Sequence, residues 1–210
     1  MRNINNSIGS ILGNIKFTPV AQAPVYKEDG VDHINISYSS ATELGKFLST
    51  RFRTPFTHPT FGEFQSVEGL WQYLTREIDE ETTEAVRSFY GNRNTRHMSK
   101  LEKRNVENFK DIIFEVMVNK IYTNSSFAKL LAENELPLLM YYIDTKGVRV
   151  NVPFANWYIK QINQIKEQVA LDKPWEDAQE QLALEESLET QSTDDENTDL
   201  TDSQMDTGSV

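Results

Sequence analysis

The chain has 210 residues, of which 38% are hydrophobic and 10% aromatic, enough to bury one real core and too much for a stapled mini-protein. It contains no cysteine, which excludes disulfides and thiolate metal ligands, and no apolar run reaches membrane-spanning length. The formal net charge of −11 averages two regions: residues Glu176–Val210 hold 12 of the 32 acidic groups and no Lys or Arg, leaving 20 acids against all 21 basic residues in the rest of the chain. The body is therefore close to neutral, and the acidic balance of the whole does not argue against an anionic ligand on the folded part. With no signal-like segment either, the expected setting is soluble and cytoplasmic.

Residues 1–30 mix Asn, Ser, Gly and Pro with scattered apolar residues and read as an N-terminal arm or accessory helix. Ile34–Tyr38 alternates apolar and polar residues, the pattern of a strand leading into the fold. Ser39–Thr60 is rich in turn formers, with Phe47, Phe52 and Phe56 as packing points, and reads as loop with short helical turns.

Ser66 is suited to cap a helix in which Val67, Leu70, Trp71 and Leu74 recur at helical spacing. Glu68 then falls in the first turn, among apolar and aromatic neighbours. It reads either as a surface acid favoured by the helix dipole or as a catalytic carboxylate beside aromatic walls. Asp79–Tyr90 reads as a second helix stopped at Gly91. The polar, basic loop Asn92–His97 is the best local candidate for gripping a phosphate, although a solvated loop explains it equally simply.

Asn108–Asn124 is the clearest helix, with Phe109, Ile112, Ile113, Val116, Met117 and Ile121 on one stripe; it reads as core rather than chemistry. Ser125–Asn134 continues as an amphipathic helix. Leu136–Ile143 is an apolar strand ending at Asp144, and Val148–Val152 a second strand, which together suggest a hairpin. Asp144 is explained as well by turn chemistry as by a place on the rim of a pocket. Phe154–Ala170 is helical until Pro174, and Thr190–Val210 is too polar to offset chain entropy and is expected to be disordered. No Walker loop, dinucleotide glycine fingerprint, metal-ligand spacing or nucleophile elbow occurs, and His33, His58 and His97 read as loop or surface residues.

The order of these pieces resembles the NADAR superfamily, which includes N-glycosidases acting on riboflavin-pathway intermediates and enzymes that remove ADP-ribose from guanine. The similarity runs from about Ile34 to Val169. It is carried by Ser66-Val67-Glu68 at a helix start, Gly91-Asn92-Arg93-Asn94, the Asn105, Glu107 and Lys110 pattern, Asp144 after its strand, and Asn156 at the start of the last helix. The chain departs from the family pattern at Gly69, where the family commonly has His, at Val106, where it has Trp, at the missing Trp-Gly after Asp144, and at Ile159, where it has Gly.

The resemblance implies an α+β, mostly helical, NADAR-like single domain over residues 31–172 with a small β element, followed by an acidic tail over residues 173–210. It implies cleavage of a C1–N glycosidic bond in ADP-ribosylated DNA or an ADP-ribose-like nucleotide, with no metal or organic cofactor. Glu68 and Asp144 match the family's acidic positions and would be the catalytic pair, sharing the roles of stabilising an oxocarbenium-like transition state and of positioning or deprotonating water. Arg93, Arg96 and Asn92 would bind phosphate, Trp71 and Phe47 would form walls, and Asn156 would contact substrate. A bacteriophage counter-defence factor that reverses toxin-catalysed DNA ADP-ribosylation is the specific setting this suggests. The alternatives are a catalytically altered protein that binds ADP-ribose or a toxin, and an N-glycosidase of a free riboflavin-pathway nucleotide.

Overall fold

The computed structural model describes residues 27–91 and 100–176. In chain order these form β1 (Ile34–Asn35), α1 (Glu43–Leu48), β2 (Phe56–His58), β3 (Gly62–Phe64), α2 (Val67–Thr75), α3 (Glu80–Arg87), α4 (Phe109–Tyr122), α5 (Ser125–Glu133), β4 (Leu138–Leu139), β5 (Tyr141–Ile143), β6 (Arg149–Asn151) and α6 (Ala155–Asp172). The fold is α+β and mostly helical, with three two-stranded ladders: β1 with β4 in parallel, and the antiparallel hairpins β2–β3 and β5–β6. None of the helices among the described residues is long and apolar enough to cross a membrane.

One main core unites these pieces. The apolar stripes of α2, α4, α5 and α6 meet there through Leu70, Leu74, Ile113, Met117, Ile121, Leu131, Ile162 and Val169, joined by Phe47 and Leu48 of α1 and Ile34 and Ile36 at the chain's entry. This is the arrangement expected when short amphipathic helices have apolar faces too narrow to be stable alone. The fold begins before residue 31, because Asp29 is buried and its carboxylate accepts hydrogen bonds from the Asn35 and Ala41 amides and the Ser40 hydroxyl.

Several expectations need correction. The strand expected at Leu136–Ile143 is interrupted at Met140, so that Leu138–Leu139 pairs with β1 while Tyr141–Ile143 pairs with β6. The turn-rich Ser39–Thr60 stretch holds a true helix, α1, capped by Thr42, and the first strand of a hairpin. The helix ahead of Gly91 ends at Arg87 with Ser88 as its cap, and Gly91 serves a later turn at a φ of +73°. His33 and His58 are buried rather than superficial: His33 bridges Asp32 and the Tyr141 hydroxyl, and His58 accepts from the Thr60 amide. The N-terminal arm up to residue 26, the Asn92–His97 loop and the acidic tail from residue 177 lie outside the described residues.

Gly69 is fixed by packing. A Cβ at this position would stand 2.6 Å from the Val86 carbonyl oxygen of α3, closer than such atoms approach. The two helices cross there at backbone contact distance, which leaves no space for the histidine of the NADAR pattern. Alanine normally favours a helix over glycine, so Gly69→Ala should raise stability if only propensity mattered. We expect it to cost about 1–3 kcal/mol through overpacking, measured by urea denaturation; an unchanged or raised midpoint would show that the close approach is absent.

Candidate functional site around Glu68

The Ser66 cap forms as the sequence suggests, its hydroxyl accepting from the Gly69 amide at 3.2 Å and donating to the Phe89 carbonyl at 2.5 Å. The next orphan amide of the first turn, that of Glu68, has no acceptor within its helix and donates to the Thr50 carbonyl at 2.7 Å. The Glu68 carboxylate is half-buried and doubly held. Its Oε2 accepts from the Thr50 hydroxyl and its Oε1 from the Gln72 amide, both at 2.8 Å. Two fixed donors orient the group while leaving each oxygen with further acceptor capacity.

Trp71 lies one helical step from Glu68, on the same face of α2. Its ring is half-buried and packs against Phe154 at 4.5 Å, Phe109 edge-on at 4.7 Å and Trp157 at 6.3 Å. Lys110 stands 5.8 Å over Trp157. Carboxylate and aromatic wall are therefore neighbours on one helix, and the wall is completed by the starts of α4 and α6.

Phe47 is placed otherwise than as an open wall. It is 1% exposed and stacked on Phe127 with ring centroids 4.0 Å apart. Asp144 sits in the β5–β6 turn, where its Oδ1 accepts from the Lys146 and Val148 amides at 2.9 and 2.8 Å. Every hydrogen bond of this carboxylate among the described residues goes to its own turn, and none joins it to Glu68. Asn156 is exposed on the first turn of α6 and lines a shallow depression of about 500 Å3 whose lining among the described residues all comes from that helix. Asn92, Arg93 and Arg96 lie outside the described residues.

The residue that sequence reasoning missed is Lys120. It stands on the buried stripe of α4, 4% exposed, and its Nζ donates to the Ser49 carbonyl at 3.0 Å while lying 4.8 Å over Phe47 and 5.6 Å over Phe52. No carboxylate among the described residues pairs with it. Tyr158 of α6, also buried, donates its hydroxyl to the neighbouring Leu48 carbonyl at 2.8 Å and contacts the Met117 sulfur at 3.1 Å. Burial pushes the Tyr158 phenol above its ordinary range, and the charge of Glu68 adds to the shift. The only signal available in sequence was the position of Lys120 one residue before Ile121 in the apolar stripe, which the usual allowance for snorkelling lysines explains away.

No family model matches the chain, and no curated protein matches it. Among solved structures it is similar to the NMR structure of the E. coli protein YbiA, at 16% identity and a TM-score of 0.44, over 76% of this chain and 92% of that one. At that level of likeness the functional reading rests on this chain's own residues.

Burial without a counter-ion lowers the Lys120 ammonium from its usual 10.5 to about 7. In the unfolded chain the amine keeps its proton to higher pH, so between about pH 7 and 10.5 the unfolded state binds more protons and stability rises with pH. Below about pH 7 both states are protonated and the desolvation penalty is fully present. Relative to Lys120→Met, the wild type should gain on the order of 1 kcal/mol per pH unit within that window, followed by denaturant melts across pH. Parallel curves for the two proteins would contradict an uncompensated buried amine.

Proposed function

We propose that the protein is an N-glycosidase that removes ADP-ribose from guanine in DNA, with Glu68 as the carboxylate that stabilises the reacting sugar. The observation that carries this reading is the Glu68 carboxylate, fixed by Thr50 and Gln72 and set beside the Trp71 wall. The resemblance of the Ser66-Val67-Glu68 helix start to NADAR proteins supplies the reaction class.

In such a cleavage the bond from ribose C1 to the guanine nitrogen breaks while a water oxygen bonds to C1. The water loses a proton and the departing nitrogen gains one, giving free ADP-ribose and unmodified guanine. Positive charge gathers on C1 and the ring oxygen as the bond stretches, and an oriented carboxylate favours that state over the ground state. The Trp71 wall would hold a planar base by stacking. Asp144 is the candidate for a second acid through Oδ2, which its turn hydrogen bonds leave unused.

A cationic cluster favours nucleic acid over a free nucleotide. The guanidinium groups of Arg87 and Arg104 lie 5.6 and 5.9 Å from the Tyr73 ring centroid, on the face of α2 turned away from Glu68. The backbone of Arg76, just past the end of that helix, forms an isolated antiparallel bridge with that of Lys103, beside Arg104. No carboxylate among the described residues pairs with these three arginines, and the Nε of each is buried without a partner. Phosphate oxygens at the solvent-facing parts of these half-buried side chains would counter the like-charge repulsion. A phage counter-defence role fits this substrate and is part of the same proposal.

The test is incubation with an oligonucleotide carrying ADP-ribose on guanine, following free ADP-ribose by mass spectrometry. Wild type should release it, and Glu68→Gln should lower the rate by at least about 100-fold; a Glu68→Gln protein of full activity removes the assignment. Asp144→Asn losing rate without losing stability would place Asp144 in the chemistry, whereas a loss of stability alone would leave it to the turn. Affinity for the oligonucleotide should fall with salt, and the log–log slope should shrink by about 0.7–0.9 for each of Arg87→Gln and Arg104→Gln. Slopes equal to wild type would point to a free nucleotide as substrate.

A further inference from the structure

Three successive carbonyls, those of Leu48, Ser49 and Thr50, receive donors from three different helices. The Tyr158 hydroxyl of α6 reaches Leu48, the Lys120 ammonium of α4 reaches Ser49, and the Glu68 amide of α2 reaches Thr50, at 2.8, 3.0 and 2.7 Å. Thr50 then returns a hydrogen bond from its hydroxyl to the Glu68 carboxylate. The segment follows α1 directly, and Ser49 and Thr50 are both 4% exposed. Any shift of this strap moves the Thr50 hydroxyl and, with it, the carboxylate it orients.

We propose that Lys120 and Tyr158 are positioning residues for Glu68, clamping the Leu48–Thr50 strap from the core side so that Thr50 holds the carboxylate in one place. Two observations separate this from a role in stability alone. The Ser49 carbonyl also accepts from the Phe52 amide at 3.2 Å, so it is satisfied without Lys120. A buried ammonium without a carboxylate partner is replaceable in stability terms by an apolar chain of similar volume. What such a replacement cannot supply is a directed anchor on the strap. The inference rests on the reading of Glu68 as the reacting carboxylate, but its first consequence is structural and can be measured without any substrate.

The experiment compares wild type, Lys120→Met and Tyr158→Phe by amide hydrogen exchange and by turnover of the ADP-ribosylated oligonucleotide. The Glu68 amide has no acceptor within its helix, so its protection reports the strap directly. We expect that protection to fall at least tenfold in each variant while the amides of Ile113, Met117 and Ile121 in α4 keep theirs, and kcat to fall tenfold or more with KM within twofold. Unchanged Glu68 protection in a folded variant overturns the proposal whatever the activity. If Lys120→Met does not fold, Tyr158→Phe, which removes only a hydroxyl, carries the same test through the adjoining carbonyl. If wild type releases no ADP-ribose, the glycosidase reading fails on its own, and the exchange data still decide whether the clamp exists.

Discussion

A strap of three residues can tie three helices together because its carbonyls have no other regular use. Leu48 ends a six-residue helix and Ser49 and Thr50 follow it, where carbonyls have no helical amide partner four residues on, and the segment is buried; the Ser49 carbonyl alone also accepts from an amide, that of Phe52. Buried carbonyls must be satisfied. Here side chains from α6 and α4 and the orphan amide of α2 do so, and α1, α2, α4 and α6 are thereby registered at a single point. The position of Glu68 follows from that registration more than from the helix it belongs to.

Helix α2 then works on two faces. On one side Glu68 meets Thr50 of the strap and Gln72, with Trp71 a turn away against Phe109 and Phe154; toward β3 and α3 the helix presents Tyr73, which packs on Phe64 and carries Arg87 and Arg104 on its ring. Gly69 allows α3 to approach closely enough for this second face to form. The departure from the NADAR pattern at that position is therefore a packing requirement of this chain, made by the Val86 carbonyl.

How far the sequence revealed this depended on the range of the interaction. Helices α2, α4, α5 and α6 were legible because apolar periodicity and the Ser66 cap are local signals, and the β5–β6 hairpin because an apolar run and a short alternating one flank the turn Thr145-Lys146-Gly147. The pairing of β1 with β4 was not, since two residues at Ile34–Asn35 meet partners more than a hundred positions away. Neither was the break at Met140, which separates strands of one apolar run by the partners each finds. At the site, Glu68 and Trp71 could be proposed from one stretch of chain. Lys120 could not, because only the fold shows that its ammonium stays inside against Ser49, Phe47 and Phe52. Phe47 was marked as a packing point and also as a wall, and the stacked contact with Phe127 fits the first.

The central claim is that ligand chemistry occurs where Glu68 meets the Trp71 wall. Its most direct test is a titration of the 15N-labelled protein with ADP-ribose, following backbone amides and the indole N–H signals. Saturable shifts centred on Glu68, Thr50 and the Trp71 and Trp157 indoles are the result this account predicts. Shifts confined to the cleft of about 420 Å3 lined by His33, Pro137 and Arg149, with none at Glu68, Thr50 or the indoles, would contradict it.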